Sequence, residues 1–234
     1  YALVAVAGVA ILFGASSGMA GEYSEAPALK ALVAAGKLPS IEKRLPKNPR
    51  VLEPIDSIGV YGGTWRSGLR PSVPTWNLTT VGYDLMFHWK SDWSGTVPNI
   101  AASYEVSPDA KVYTIKLREG MRWSDGDIFD TDDIVFAYEH VFKNPNLGGF
   151  PDFLRSGKVP AVIEKVDALT FRIKFEKPAP FLPDAMSRVT TVLGGDILTK
   201  YPSHYMKQFH PDFNKKDLGD MVKKAGAKSW AESL

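Results

Sequence analysis

The sequence predicts a mixed α/β fold from three observations. Apolar and polar residues alternate in Lys111–Leu117 and again in Leu169–Phe175, the period-two pattern of strands with one buried face. Between these strands, acidic residues precede the apolar run Ile134–Tyr138, as at the start of a helix. The chain has 234 residues, of which 44% are hydrophobic, so it can bury a sizeable core.

The first residues are typical of an export signal. Ala2 to Phe13 are entirely apolar or small, and the small residues 14–20 suit cleavage after Ala20. We expect the mature chain to start near Gly21, and the sequence to begin partway through the signal. The alternative is a permanent membrane anchor, since about 18 uncharged residues nearly span a bilayer. Both interpretations predict export.

Composition argues against several classes of function. The 28 basic and 26 acidic residues form no long run of one sign, so nothing in the charge pattern indicates nucleic-acid binding. The sequence has no cysteine, which excludes disulfides, thiol catalysis and thiolate metal sites, and predicts that the protein is not a lipoprotein. Gly14–Gly18 matches the pattern of a nucleophile elbow around Ser16, but it lies in the predicted signal.

A short helix and a proline-rich strap follow the signal. In Glu25–Gly36, Pro27 stands near the expected helix start and Gly36 follows its end. Residues 38–54, called the strap below, carry four prolines among charged residues. We expect the strap to cross the surface in an extended form.

A hairpin and a tight turn are predicted next. Residues 104–106 and 111–117 flank the turn-forming linker Ser107–Ala110, so they pair as a hairpin. The residues Trp123-Ser124-Asp125-Gly126 predict a chain reversal, because Asp can bond its own backbone two residues on and Gly can adopt a positive φ.

A helix should follow this turn, from about Asp132 to Phe142. Thr131 is the predicted N-cap, and Asp132 and Asp133 place two acids at the positive end of the helix dipole.

The aspartates between 125 and 133 also suggest a metal loop or a catalytic pair. The register of a calcium loop with its closing Glu is missing. Asp125 and Asp127 are one residue apart on a turn, without the separated environments that carboxylate catalysis requires. We therefore predict no catalytic residue, metal site or cofactor, and keep an exported carboxylate-dependent hydrolase as the alternative function.

The four histidines give little sign of a site. His204 and His210 lie in a loop-like stretch without a third ligand at zinc-site spacing, which predicts exposed or capping roles. His88 stands among aromatic residues, which favours its burial.

A second hairpin and further helices complete the pattern. Residues 162–166 and 169–175 flank the turn at Asp167-Ala168, and Pro178 ends the second strand. We expect a mostly helical segment at 181–193 and an exposed helix at Asp217–Ala225.

The order of parts in Pro98–Tyr138 resembles the signature region of family 5 extracellular solute-binding proteins. These are the capture subunits of peptide, dipeptide and nickel ABC importers. Gly36–Pro46 and Gly59–Arg66 are similar to the N-terminal region of one long subgroup of the same family. The resemblance implies that residues of the turn and helix start are a structural hallmark and not a ligand site: Trp123, Ser124, Asp125, Gly126, Thr131, Asp132 and Asp133.

The resemblance further implies a periplasmic-binding-protein-like, two-lobed fold. Family members are longer, so we expect an N-terminal fragment whose first lobe carries an inserted subdomain. The implied order is a truncated signal peptide (1–20), the N-terminal helix and strap (21–57), the start of the large lobe (58–75), the inserted subdomain (76–160), the return to the large lobe (161–200) and a segment leading to a second lobe (201–234).

In such a protein the chain reaches the ligand cleft after a strand at Thr64–Leu69. The candidate ligand contacts are then Trp76, Asn77, Leu78 and Thr79, the alternative being that Trp76 fills a core or inter-lobe gap. The implied function is that of a periplasmic, monomeric, non-enzymatic subunit. It would capture an oligopeptide-like or other small solute and deliver it to a membrane permease and its ATPase.

Overall fold

An antiparallel sheet lies at the centre of the fold. The computed structural model describes residues 23–66, 84–147, 149–188 and 194–233. The described strands are β1 (Phe87–Trp89), β2 (Thr96–Pro98), β3 (Ala101–Val106), β4 (Val112–Leu117), β5 (Arg155–Ser156), β6 (Val159–Pro160), β7 (Val162–Lys165) and β8 (Thr170–Lys174). The main sheet has the order β3-β4-β8-β7, and β1-β2 and β5-β6 form two small ribbons.

The two predicted hairpins are confirmed, and they lie side by side. In the β4–β8 pair, Tyr113 lies opposite Ile173 and Ile115 lies opposite Phe171. All four side chains are buried, while Arg172, between Phe171 and Ile173 along the chain, is exposed. The alternation predicted for each strand therefore places one apolar face on a common core.

Short helices surround this sheet. They are α1 (Pro27–Ala34), α2 (Ile41–Arg44), α3 (Thr131–Phe136), α4 (Leu182–Ala185), α5 (Ser203–Met206), α6 (Leu218–Lys224) and α7 (Trp230–Ser233). Helix α3 continues directly into a π-helical turn, Ala137–Phe142, and three 3₁₀ turns lie at Asp152–Leu154, Gly195–Leu198 and Lys207–Phe209. The predicted helix near 132–142 is confirmed in extent, but its second half is π-helical.

One hydrophobic cluster joins the sheet to the helices. It includes Ile115 and Phe171 of the sheet, Ile134 of α3, and Ile197 and Leu198 of the 3₁₀ turn that follows α4. All five side chains are at most 2% exposed. Burial of such side chains contributes about 1.5–3 kcal/mol each, so this cluster is the main source of stability in the described part of the chain.

The N-terminal segment lies on the surface, as predicted. Helix α1 has no buried residue, and Gly36 after it adopts a φ of 68° that favours glycine. The strap contains one helical turn, α2, and is otherwise without regular structure. The backbone N–H of Lys47 donates to the Glu119 carbonyl at 2.9 Å, and the Arg118 guanidinium donates to the Asn48 carbonyl at 2.6 Å. These bonds fix the strap beside the end of β4.

Several predictions stay untested or need correction. The signal segment 1–20 lies outside the described residues, and so does most of the predicted strand Thr64–Leu69, whose described residues 64–66 form no strand. The domain boundaries stay predictions, and the main sheet combines strands from both sides of residue 160. Within the described ranges, every helix is too short or too polar to cross a membrane.

Candidate functional site

The predicted ligand contacts cannot be placed. Trp76, Asn77, Leu78 and Thr79 lie in the range 67–83, outside the described residues. Their role stays a prediction.

The Trp-Ser-Asp-Gly segment forms the predicted tight turn. Gly126 has a φ of 95°, and the backbone N–H of Asp127 donates to Asp125 Oδ1 at 3.1 Å. The turn is closed by a hydrogen bond from the Trp123 N–H to the Asp127 carbonyl at 2.9 Å. The indole ring of Trp123 packs edge-on against Phe129, with centroids 5.2 Å apart, and so anchors the turn to the core.

The helix cap differs from the prediction by one residue. Asp130, not Thr131, is the N-cap of α3, and its side chain accepts a hydrogen bond from the Asp132 N–H at 2.7 Å. Thr131 is already inside the helix, where its hydroxyl donates to the Asp167 carbonyl at 2.6 Å. Sequence pattern alone favours either residue as a cap. Because the Thr131 hydroxyl bonds to the turn between β7 and β8, Asp130 serves as the N-cap.

Asp133 connects three parts of the chain. Its side chain is almost fully buried, and Oδ2 accepts hydrogen bonds from the Trp123 indole at 2.9 Å and the Asp130 N–H at 3.3 Å. Oδ1 accepts one from the Ser203 N–H at 2.8 Å. Asp133 therefore satisfies free backbone N–H groups at the start of both α3 and α5 and holds the turn against them.

The two aspartates of the turn are bound to a histidine from a distant part of the sequence. Asp125 Oδ2 lies 2.7 Å from His204 Nε2, and Asp127 Oδ2 lies 3.3 Å from His204 Nδ1. The hydrogen bond with His204 lowers the pKa of Asp125. Both carboxylates are about half exposed, so the pair considered for hydrolysis has the polar, solvated setting of a surface ion pair.

Of the exposed or capping roles predicted for His210, the exposed one is wrong. His210 is 2% exposed, and its ring lies 5.1 Å from that of His140. Asp212 Oδ2 lies 3.6 Å from His140 Nδ1 and 3.7 Å from His210 Nδ1. These three residues can each offer one metal ligand, with the ligand atoms all within 4.8 Å of one another. The sequence analysis missed this cluster, although the spacing of His210 and Asp212 was a signal for part of it.

His88 is half-buried, and this burial lowers its pKa.

An open groove separates the strap from the tight turn. It has a volume of about 530 Å³, and its lining includes Lys43 and Lys47 from the strap and Arg122 and Gly126 from the turn. It is a shallow surface feature and gives no sign of an enclosed ligand site.

The fold is similar to those of solved solute-binding proteins. The oligopeptide-binding protein OppA superposes with a TM-score of 0.78 at 31% identity, over 91% of this chain and 32% of OppA. The periplasmic binding protein MelB of Agrobacterium fabrum, solved with stachyose, superposes with a TM-score of 0.60 at 23% identity, over 88% of this chain and 32% of MelB. The described residues thus have the fold of part of a two-lobed periplasmic binding protein.

Sequence comparison identifies the family. Residues 95–229, more than half of the chain, match the model of bacterial extracellular solute-binding proteins, family 5 Middle. The periplasmic α-galactoside-binding protein of Rhizobium meliloti is 30% identical over 205 residues, which cover 77% of this chain and 28% of that protein. The dipeptide-binding protein of Escherichia coli is 28% identical over 157 residues, which cover 60% of this chain and 29% of that protein.

The chain therefore belongs to the family 5 extracellular solute-binding proteins. It spans less than a third of the length of these four similar proteins. The predicted family and fold class are confirmed.

Proposed function

We propose that these residues belong to the substrate-binding subunit of an ABC importer, which captures a solute in the periplasm and delivers it to a membrane permease and its ATPase. The observation that supports this proposal is the family match over residues 95–229. The superposition on OppA over 91% of the chain agrees with it.

The solute in this proposal is an oligopeptide or another small oligomer with many polar groups. The names of similar proteins point to two chemistries, since one relative binds α-galactosides and others bind dipeptides or oligopeptides. Both kinds of ligand are chains of polar units, which a cleft recognises by hydrogen bonds and by aromatic faces. We propose the oligopeptide-like solute, with the α-galactoside as the competing outcome of the test.

Capture would proceed by closure of two lobes around the solute. Hinge closure buries a ligand between domains, and the ligand shifts the equilibrium only by its preference for the closed state. We keep Trp76, Asn77, Leu78 and Thr79 as the proposed contacts of this chain with the solute. No catalytic step is part of this function.

The hydrolase alternative has less support. Asp125 and Asp127 both face His204, at 2.7 and 3.3 Å, and both are about half exposed. General acid catalysis requires a carboxyl whose surroundings raise its pKa, whereas the hydrogen bond with His204 lowers that of Asp125.

The decisive experiment measures uptake and localisation together. Deletion of the gene in its host should abolish uptake of a labelled tripeptide and leave uptake of a labelled α-galactoside unchanged, and cell fractionation should place the protein in the periplasm. The opposite pattern of uptake would identify the α-galactoside as the transported solute. Unchanged uptake of both solutes would contradict the importer function.

Calorimetric titration of the purified protein tests the proposed contacts. Trp76→Ala should weaken binding of the transported solute at least tenfold. Trp93→Ala is the matched control, because Trp93 is 74% exposed and packs on Trp89 in the β1–β2 ribbon. Equal affinities of the two variants would contradict the assignment of Trp76.

A further inference from the structure

Two histidines and a carboxylate converge beside the π-helical turn. His140 lies in that turn, while His210 and Asp212 come from the segment after α5, 70 residues later. The distances from Asp212 Oδ2 are 3.6 Å to His140 Nδ1 and 3.7 Å to His210 Nδ1. π-helical turns are rare in proteins, and those that occur in helices are often found at functional sites.

The hydrogen bonding of His210 makes Nδ1 the unprotonated nitrogen of its ring. Its Nδ1 accepts a hydrogen bond from the Asp212 backbone N–H at 3.2 Å, so this nitrogen carries no proton. An ionised carboxylate is likewise only an acceptor. Two acceptors 3.7 Å apart with no shared proton repel each other, and a cation bound by both would take the Nδ1 lone pair that otherwise accepts the Asp212 N–H.

Aromatic side chains surround His210. Its ring is enclosed by Phe136, Phe213 and Trp230, with centroids 6.3, 5.5 and 5.2 Å away. Its Nε2 is also buried and finds no hydrogen-bond partner among the described residues. A neutral imidazole is the form that binds a metal ion.

The opposite side of the cluster is open. The Asp212 side chain is 65% exposed and that of His140 is 29% exposed, so an ion can enter from solvent and keep water in its remaining positions. Metal–ligand bonds of about 2.1 Å in a tetrahedron place ligand atoms about 3.4 Å apart. The separations from Asp212 are within a few tenths of an ångström of that value.

We propose that His140, His210 and Asp212 form a binding site for a divalent transition-metal ion of the zinc type. Two imidazoles and one carboxylate are a donor set suited to Zn²⁺, Ni²⁺ or Cu²⁺ and poorly suited to Ca²⁺ or Mg²⁺. The bound ion would link the π-helical turn to the segment 207–213. This site goes beyond the proposed function and does not depend on the identity of the solute.

The test is a titration of the purified chain, without a polyhistidine tag, with Zn²⁺ against a chromophoric chelator. The chain should bind one equivalent, and His140→Gln and Asp212→Asn should each lower the affinity at least tenfold. These two side chains are partly or largely exposed, so both variants should fold, which circular dichroism verifies.

The matched control is His88→Gln. His88 has a side-chain exposure of 35% and lies 3.9 Å from the Asp84 carboxylate, but it has no second histidine beside it among the described residues. The His88→Gln variant should bind Zn²⁺ with the same affinity as the unsubstituted chain. The proposal is overturned if the chain binds no Zn²⁺ at micromolar concentration, if His140→Gln and Asp212→Asn bind as well as the control, or if His204→Gln abolishes binding instead.

Discussion

Replacement of Asp133 by alanine should strongly destabilise the protein. The carboxylate is 3% exposed and accepts three hydrogen bonds, from Trp123, Asp130 and Ser203. A hydrogen bond to a charged group contributes about 1.5–3 kcal/mol, and a buried donor left without a partner costs about 1–3 kcal/mol. The indole of Trp123 is only partly buried and can recover a bond to water, whereas the N–H of Ser203 cannot.

The expected loss for Asp133→Ala is therefore about 3 kcal/mol in the free energy of unfolding, less than the sum of three separate bonds because the buried charge is also removed. This corresponds to a fall in Tm of about 6–12 °C for a chain of this size. Urea unfolding followed by tryptophan fluorescence gives the free energy, and calorimetry gives Tm.

Asp132→Asn is the control for this prediction. Asp132 is the neighbouring acid in the same helical turn, its side chain is 61% exposed, and it pairs with Lys165 on the surface. Loss of this ion pair should cost less than about 1 kcal/mol. The reasoning is refuted if Asp133→Ala and Asp132→Asn have the same unfolding free energy, because the buried hydrogen bonds would then contribute nothing measurable.

Three further predictions concern the turn and its helix. Asp130→Ala removes the N-cap of α3 and should cost about 1 kcal/mol by urea unfolding, while Thr131→Ser, which keeps the hydroxyl, should cost less. A cost for Asp130→Ala no larger than that for Thr131→Ser would contradict the assignment of Asp130 as the cap. Gly126→Ala forces a φ of 95° on a residue with a Cβ and should lower stability by about 1–2 kcal/mol, against no change if the turn can relax. The hydrogen bond with His204 lowers the pKa of Asp125 in the folded protein. The pair therefore stabilises the folded state at pH values above the pKa of Asp125 in the unfolded chain. This stabilisation is lost as the pH falls through the lowered pKa of the folded state. The stability difference between the unsubstituted chain and His204→Ala should thus vanish in acid, and a difference independent of pH would contradict the assignment.

Much of the fold follows from local patterns. The alternation in β4 and β8 predicted their buried residues, such as Ile115 and Phe171, because side chains on a strand point to opposite faces in turn. The chemistry of Asp125 and Gly126 predicted the turn. The cap was misplaced by one residue, since Asp130 and Thr131 are both good caps and their difference arises from a contact with residue 167.

The histidines show where sequence analysis fails. His204 meets Asp125 across 79 residues of chain, and His140 meets His210 across 70. A single sequence carries no signal for such pairs, because their distance depends on how the helices after the sheet pack against it. For the same reason, the burial of His210 could not be foreseen from a loop-like, proline-containing stretch.

The sequence by itself determined the strands of the two hairpins, the tight turn, helices α1 and α6 and, by resemblance, the family, because these depend on residues within a few positions of one another and on a long, ordered set of motifs. Only the tertiary structure decided that β4 pairs with β8, that Asp133 connects α3 to α5, and that two histidines and an aspartate share one site. These outcomes come from burial of a common apolar core, which brings distant segments together and then requires each buried polar group to find a partner.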